Sequence, residues 1–355
     1  MNYKNYFGPY TQEQNKFLKN FFKEKVRESR KIAPSVAPQI WQQFERFIEG
    51  GKRMRGGLVR LGYESFGGKK LKEIIPVSVA MELTHISLLM MDDIADQDVL
   101  RHGKDTVHIS YTKFHKKNKR KGNPIRYGES MTTFAGVTGC YEAIKLIANA
   151  NFDPERKTAG IAFLSNFLIN TGYGQCLDID LASRNSLSEK DITTVNRLKT
   201  AWYTIVGPLS LGAVLTGANY DNVKIFEEYG LPLGIAFQIQ DDILGMFGNE
   251  KQTGKSTASD IKEGKNTLLY LWAVKKGTPK QVRSLKKLWG KKDITKAEIK
   301  EVRDIIVNSG SLVYCQKKAE KLVKEARRIV PRLTGNKSLQ EVYQTLADFV
   351  IQREK

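Results

Sequence analysis

The chain is poor in cysteine: three thiols, Cys140, Cys176 and Cys315, are scattered along 355 residues. An odd, dispersed set excludes a disulfide-stapled secreted scaffold and fits a reduced, cytoplasmic setting. Strand-like alternation bounded by hairpin turns is essentially missing, which argues against sandwiches and barrels. Long apolar runs are also scarce. The best, residues 74–91, is interrupted by Pro76, Glu82 and His85, so no transmembrane segment is expected. The first nine residues, MNYKNYFGP, lack the apolar stretch of a secretory signal. There is no internal repeat and no compositional shift that would mark a boundary, so a single domain over 1–355 is the simplest organisation.

Acidic residues are in deficit, 38 against 58 basic ones, for a formal charge of +20. Such a balance fits nucleic acid, an anionic membrane surface or acidic small molecules. The basic residues gather at 113–126 (KFHKKNKRKGNPIR), which reads as a flexible loop, and at 275–292, which reads as exposed helix faces. Neither interleaves aromatics as a base-stacking platform does, so no nucleic-acid partner is expected. Most of this charge reads as solvated surface, and some of it raises the local concentration of an anionic substrate.

Apolar residues, 41% of the chain, recur at helical spacing nearly throughout. Thr11 and Gln14 resemble a capping box ahead of Phe17, Phe21 and Val26. Asp191 opens another helix carrying Val195, Leu198, Trp202 and Ile205. Breaks fall at Gly50-Gly51, Gly67-Gly68, Gly122-Asn123-Pro124, residues 151–154, Gly217, residues 277–279 and Gly335-Asn336. An all-α fold of about a dozen helices is expected.

Two aspartate-rich segments stand out, each at the end of an apolar helical run. They are Asp92-Asp93-Ile94-Ala95-Asp96 and Asp241-Asp242-Ile243-Leu244-Gly245. Residues four apart share a helix face, so Asp92 and Asp96 point the same way. Two solvated acidic helix ends are the plain alternative. Repeated carboxylates in one context instead fit hard divalent cations, and Mg²⁺ characteristically bridges carboxylates to substrate phosphates. The two clusters are therefore expected to share a metal-bound diphosphate.

Further motifs are ordered around these segments. They run Gly50-Gly51-Lys52-Arg53-Met54-Arg55, His85, the first acidic motif, Arg101-His102-Gly103, Gly174-Gln175-Cys176-Leu177-Asp178, Lys199-Thr200, Phe237-Gln238-Ile239-Gln240 before the second, then Gly254-Lys255, Asp260 and Gly264-Lys265. From about Gly50 to its C-terminus the chain resembles the trans-isoprenyl diphosphate synthases of the polyprenyl synthetase family. The resemblance implies a bundle of long helices around a central cavity, usually a homodimer, with three Mg²⁺ per active site. It also implies an activity. An allylic diphosphate (dimethylallyl, geranyl or farnesyl) ionises, isopentenyl diphosphate attacks, and a proton is lost. By resemblance Asp92, Asp96 and Asp241 ligate metal, with Asp93 and Asp242 in support. Arg101, Lys199 and Lys255 serve the allylic diphosphate, and Lys265 is a further substrate-binding residue. Lys52, Arg55 and His85 hold isopentenyl diphosphate, while Gln238 and Thr200 face the carbocation. No protein nucleophile is needed.

Three positions depart from the family pattern. His102 stands where a second arginine is usual, and with a reference pKa near 6.5 it is a weaker cation at neutral pH. Isopentenyl diphosphate binding should then weaken with rising pH more than in a His102→Arg variant. Gly245 replaces the final aspartate of the second motif, and Gly56 replaces a common proline, read as a loop detail. Product length follows from the helix that leads to Asp92. In the family, aromatics four and five residues before the motif stop growth at fifteen carbons. Here those positions are Leu88 and Ser87, and Thr84 and Ala80 beyond them are also small. A product of at least twenty carbons is expected, geranylgeranyl diphosphate foremost, and Ser87→Phe should shorten it. Alternatives are a longer-chain synthase, a class I terpene cyclase, and a non-catalytic synthase subunit.

Overall fold

A computed structural model describes residues 1–101, 103–184, 186–248 and 259–352. Among the described residues the chain is all-α apart from two two-residue strands, Leu100–Arg101 and Lys104–Asp105, paired antiparallel. It divides into two compact units. The first comprises Met1–Leu164 with Pro208–Val223, the second Ser165–Gly207 with Lys224–Lys355. Several helices are single-turn pieces, such as Tyr220–Val223 and Ser259–Glu263, so the bundle is more finely divided than the dozen helices expected.

In the first unit, α1 (Tyr3–Ile32) starts earlier than the sequence indicates. Asn2 caps it, its side-chain oxygen accepting from the Asn5 N–H at 3.0 Å. Thr11 and Gln14 therefore lie inside the helix, and Gln14 is fully buried rather than capping. α2 (Ala37–Ile48) packs on α1 through Phe21, Trp41 and Phe44, with the Phe21 and Trp41 rings 6.0 Å apart edge to face. α3 (Met54–Ser65) crosses the segment 208–214 at two glycines. A Cβ on Gly62 would lie 1.9 Å from the Leu209 carbonyl oxygen, and one on Gly212 would lie 1.9 Å from that of Val59. Only glycine allows backbones this close.

The central rod of this unit is α4 (Ile75–Ala95), which packs against α1, α3 and α6 (Pro124–Ala148). By length and composition α4 could cross a membrane, yet 61% of its apolar window is buried inside the protein. One detail of the sequence reading is corrected, the part given to Pro76. Pro76 sits in the first turn, where its missing N–H costs nothing, so it begins the helix instead of interrupting it. The basic stretch after the hairpin is likewise no loose loop. Residues 113–117 belong to α5 (Val107–Lys117), and the turn beyond is tied down. His115 Nε2 lies 3.0 Å from the Lys121 carbonyl, and the Arg120 guanidinium sits 4.8 Å over the Phe114 ring.

The second unit takes most of α7 (Pro154–Ala182), then α8 (Glu189–Val195), which is capped by Ser188. Asp191 is the reciprocal third residue of a capping box and not the helix start. The chain continues directly as a π-helix, Asn196–Val206. Next comes α11 (Ile225–Phe247), the core rod of this unit, packed against the π-helix and against the helix Ser311–Leu333. Thr278 and Thr295 each form capping boxes that start the helices Pro279–Leu288 and Lys296–Asn308.

Candidate active site

The first acidic motif occupies the C-terminal end of α4. Asp92 and Asp93 lie in its last turn, and Asp96 is the C-cap, its N–H donating to the Asp92 carbonyl at 2.8 Å. A helix C-terminus carries the negative end of the macrodipole, so three carboxylates there raise the electrostatic cost and favour any cation that binds. The chain then turns sharply through Gln97, at φ 57°, into the hairpin, which carries Arg101 back over the helix end. The Arg101 Nε donates to Asp93 Oδ1 at 2.6 Å, and Nη2 reaches Asp98 at 3.3 Å. Asp93 is fully buried, and its other oxygen, Oδ2, has no hydrogen-bond partner. Burial pushes the Asp93 carboxyl up to about 6 against the pull of Arg101. Asp92 and Asp96 are half-buried and so more open to a ligand than Asp93.

The basic motif sits one layer away in the same unit. Lys52 is exposed at the loop before α3. Arg53 is not available for substrate. It is buried in a left-handed conformation (φ 52°), its guanidinium donating to Asn15 Oδ1 at 2.9 Å and to the Ile48 carbonyl at 2.6 Å. Arg55 instead turns toward α4, where its Nη1 lies 3.1 Å from His85 Nε2. A guanidinium has no acceptor, so a hydrogen bond in this contact runs from Arg55 to the Nε2 of His85. Gly56 is no loop detail, contrary to the sequence reading. It lies in the first turn of α3, its N–H donates to Glu82 Oε1 at 2.8 Å, and a Cβ would fall 1.9 Å from the Gln14 amide oxygen. Proline there would lose the bond and strike the glutamine.

In the second unit the expected residues assemble around the π-helix. Helices of this type are rare and often mark functional sites, and this one presents Lys199 and Thr200 side by side. Gly174 of α7 and Gly234 of α11 allow the close approach. Added Cβ atoms would lie 2.7 Å from the Lys199 nitrogen and 2.3 Å from Ala201 Cα, respectively. Lys199 Nζ pairs with Asp178 at 2.8 Å. The Thr200 hydroxyl donates to Gln238 Oε1 at 2.8 Å, and Gln238 Nε2 donates to Asp242 Oδ1 at 2.8 Å. This chain pins the Gln238 amide dipole. Asp242 is buried and its carboxyl is raised well above the usual range, first by burial and next by the Asp260 charge. Asp241 is exposed. Asp260 fills the room left by Gly245, since a Cβ at 245 would sit 2.6 Å from its Oδ2. Lys265 pairs with Glu263 at 3.0 Å and lies 3.7 Å from Asp260. Lys255 and His102 lie outside the described residues.

Among the described residues, no group of three or more carboxylate, imidazole or thiol side chains converges to enclose an ion by itself. The donor set still fits magnesium, which keeps several waters and completes its shell with phosphate oxygens. The unpartnered Asp93 Oδ2 and the acids at a helix C-terminus both call for positive charge.

Residues 38–306 match the family model described as Polyprenyl synthetase. The chain belongs to the polyprenyl synthetase family. This prenyltransferase is 30% identical over 347 residues to the geranylgeranyl diphosphate synthase of Sulfolobus acidocaldarius, covering 96% of this chain and 99% of that one. It is 32% identical over 311 residues to the geranylfarnesyl diphosphate synthase of Aeropyrum pernix, covering 86% and 91%. The crystal structure of the Corynebacterium glutamicum geranylgeranyl pyrophosphate synthase, complexed with isoprenyl diphosphate and magnesium, superposes with a TM-score of 0.90. Its identity is 26%, over 96% of this chain and 98% of that one. The polyprenyl synthetase fold is thus the one this chain adopts.

The structure draws the chain-length positions differently from the sequence. Thr84 and Ser87 are fully buried, and Leu88 is half-buried. Ser87 lies in the packed seam between α4 and α6. A Cβ on Gly139 would come within 2.2 Å of its hydroxyl and 2.4 Å of the Phe44 ring. The Ser87→Phe test therefore overpacks this seam and reports packing as much as tail passage. Sequence reasoning assigned no role to Glu82, Asp98 or Asp178. For Glu82 the signal was a charge inside an otherwise apolar helix, and for Asp178 its place in a quoted motif.

Proposed function

We propose that this polyprenyl synthetase joins isopentenyl diphosphate head to tail to dimethylallyl, geranyl or farnesyl diphosphate. The product is a trans-prenyl diphosphate of at least twenty carbons, geranylgeranyl diphosphate foremost. The observation that carries the reading is the Arg55–His85 contact, formed on α4 at two turns from Asp92. Chain elongation needs a second anion site for isopentenyl diphosphate, and a terpene cyclase does not. Retention of both acidic motifs argues against a non-catalytic subunit.

In this reading Asp92, Asp96 and Asp241 hold the cations, and Asp93 and Asp242 support them. Bound magnesium, three ions in this reading, would supply the positive charge that stabilises the departing diphosphate. Lys199, Lys255, Lys265 and Arg101 add charge to that leaving group. The C1–oxygen bond breaks with its electron pair on the diphosphate. The π electrons of isopentenyl diphosphate then form the new carbon–carbon bond, and a proton leaves to restore a double bond. Gln238, its dipole fixed between Thr200 and Asp242, faces the cation without trapping it covalently. Lys52, Arg55, His85 and His102 orient isopentenyl diphosphate.

Both compact units act as one catalytic domain, in a cytoplasmic homodimer. Three free thiols accord with a reduced compartment. A stripe of exposed apolar residues on α6, Phe134, Val137 and Tyr141, is the natural face for a second copy. Incubation with labelled isopentenyl diphosphate, each allylic primer and Mg²⁺, followed by chromatography of the dephosphorylated products, tests the activity. A twenty-carbon alcohol is expected. Farnesol alone overturns the chain-length reading, and no condensation overturns the function.

A further inference from the structure

The start of α3 carries an unusual cap. Its N-cap, Arg53, makes no side-chain capping bond and is held left-handed, so the first N–H groups of the helix need another partner. The partner comes from α4. Glu82, 3% exposed, accepts from the Gly56 N–H at 2.8 Å, with the Arg55 N–H as a second donor. A carboxylate at this depth is costly unless charge and hydrogen bonds surround it. Hydrogen bonds and charge are supplied by the positive end of α3 and by Arg53 and Arg55, although burial, the largest influence, still holds the Glu82 carboxyl above its ordinary range.

The placement is specific. His85 lies one turn after Glu82 on the same helix and meets the Arg55 guanidinium. α4 thus holds Arg55 twice, at its backbone through Glu82 and at its side chain through His85. Gly56 completes the device, because a Cβ there would fall 1.9 Å from the Gln14 amide oxygen and 3.1 Å from the Ser78 carbonyl oxygen.

We propose that Glu82 is a positioning residue for the isopentenyl diphosphate site, acting as a cap lent by α4 that sets where Arg55 begins. Resting on the reading that Arg55 binds that substrate, the proposal makes the two anion sites differ in how they are built. The site for isopentenyl diphosphate is tensioned by a buried carboxylate that never touches it.

The test measures KM for isopentenyl diphosphate and for farnesyl diphosphate separately in full-length wild type, Glu82→Gln, Arg55→Ala and the double variant. Glutamine keeps the volume and one acceptor but sets an NH₂ against the second N–H donor. A KM for isopentenyl diphosphate raised about tenfold is expected for Glu82→Gln, with the allylic KM within about twofold and the double variant no worse than Arg55→Ala. Glu82→Asp, which keeps the carboxyl group at shorter reach, should show a smaller rise in the same direction and serves if the glutamine variant does not fold. An unchanged KM, an equal rise for both substrates, or additive losses in the double variant overturn the proposal. If Arg55→Ala itself leaves the isopentenyl diphosphate KM unchanged, the assignment of Arg55 fails, whatever Glu82 does.

Discussion

The two acidic motifs look alike in sequence but are built on different principles. At the first, the buried acid Asp93 is held by a guanidinium, Arg101, which a tight hairpin folds back onto the helix end. At the second, the buried acid Asp242 is held by a neutral amide, Gln238, whose own oxygen is fixed by Thr200. The consequence shows in their acidity. Arg101 keeps Asp93 at about 6 despite full burial, whereas Asp242 is driven well above the carboxylate range by burial and by Asp260. The first cluster is partly neutralised from within the chain. At the second, Lys265 is the nearby cation, 3.7 Å from Asp260, and its pull on Asp242 is outweighed by burial and by the Asp260 charge.

The largest expected effect would break the assignment of both clusters to one task. Asp92→Ala and Asp241→Ala should each lower kcat/KM about a thousandfold, and the double variant should lose little more than either single one. Fully additive losses would separate the two clusters functionally.

The built-in neutralisation can be tested next by stability. Arg101→Ala strands a buried charge and should cost about 3–5 kcal/mol in denaturant unfolding. Gln238→Ala removes a neutral partner and should cost only about 1–3 kcal/mol. Equal costs would erase the distinction drawn here.

Gly245→Ala sharpens the second cluster alone. Its Cβ would crowd Asp260 at 2.6 Å, and a loss of about 1–3 kcal/mol is expected. No loss would mean that Asp260 is free to move aside.

The smallest effect concerns His102. An unperturbed imidazole is cationic below about 6.5 and neutral above. Affinity for isopentenyl diphosphate should therefore fall a few-fold as pH rises through that value, and His102→Arg should flatten the slope. Parallel pH profiles for the two proteins would remove His102 from the site.

Much of the fold was legible because its signals are local. Helical spacing, Asn123 before Pro124, and glycine breaks such as Gly217 read correctly, since caps and turns depend on a few adjacent residues. The errors came where a distant residue overrode a local signal. Gln14 looked like a capping residue and is buried against Gly56 of α3. Pro76 looked like an interruption and starts α4. The turn after Lys117 looked loose and is pinned by His115 and Arg120.

By itself the sequence determined an all-helical chain, two aspartate-rich helix ends, and the ordered basic and polar motifs that go with diphosphate chemistry. These depend on residue type and short-range spacing, which the chain carries wherever it folds. The tertiary structure alone decided which partners the buried acids of α4 receive: Arg101 for Asp93 and the start of α3 for Glu82. Those pairings join residues up to 26 positions apart in the chain, as with Gly56 and Glu82, and they exist only because packed helices exclude water and leave a buried carboxylate no alternative partner.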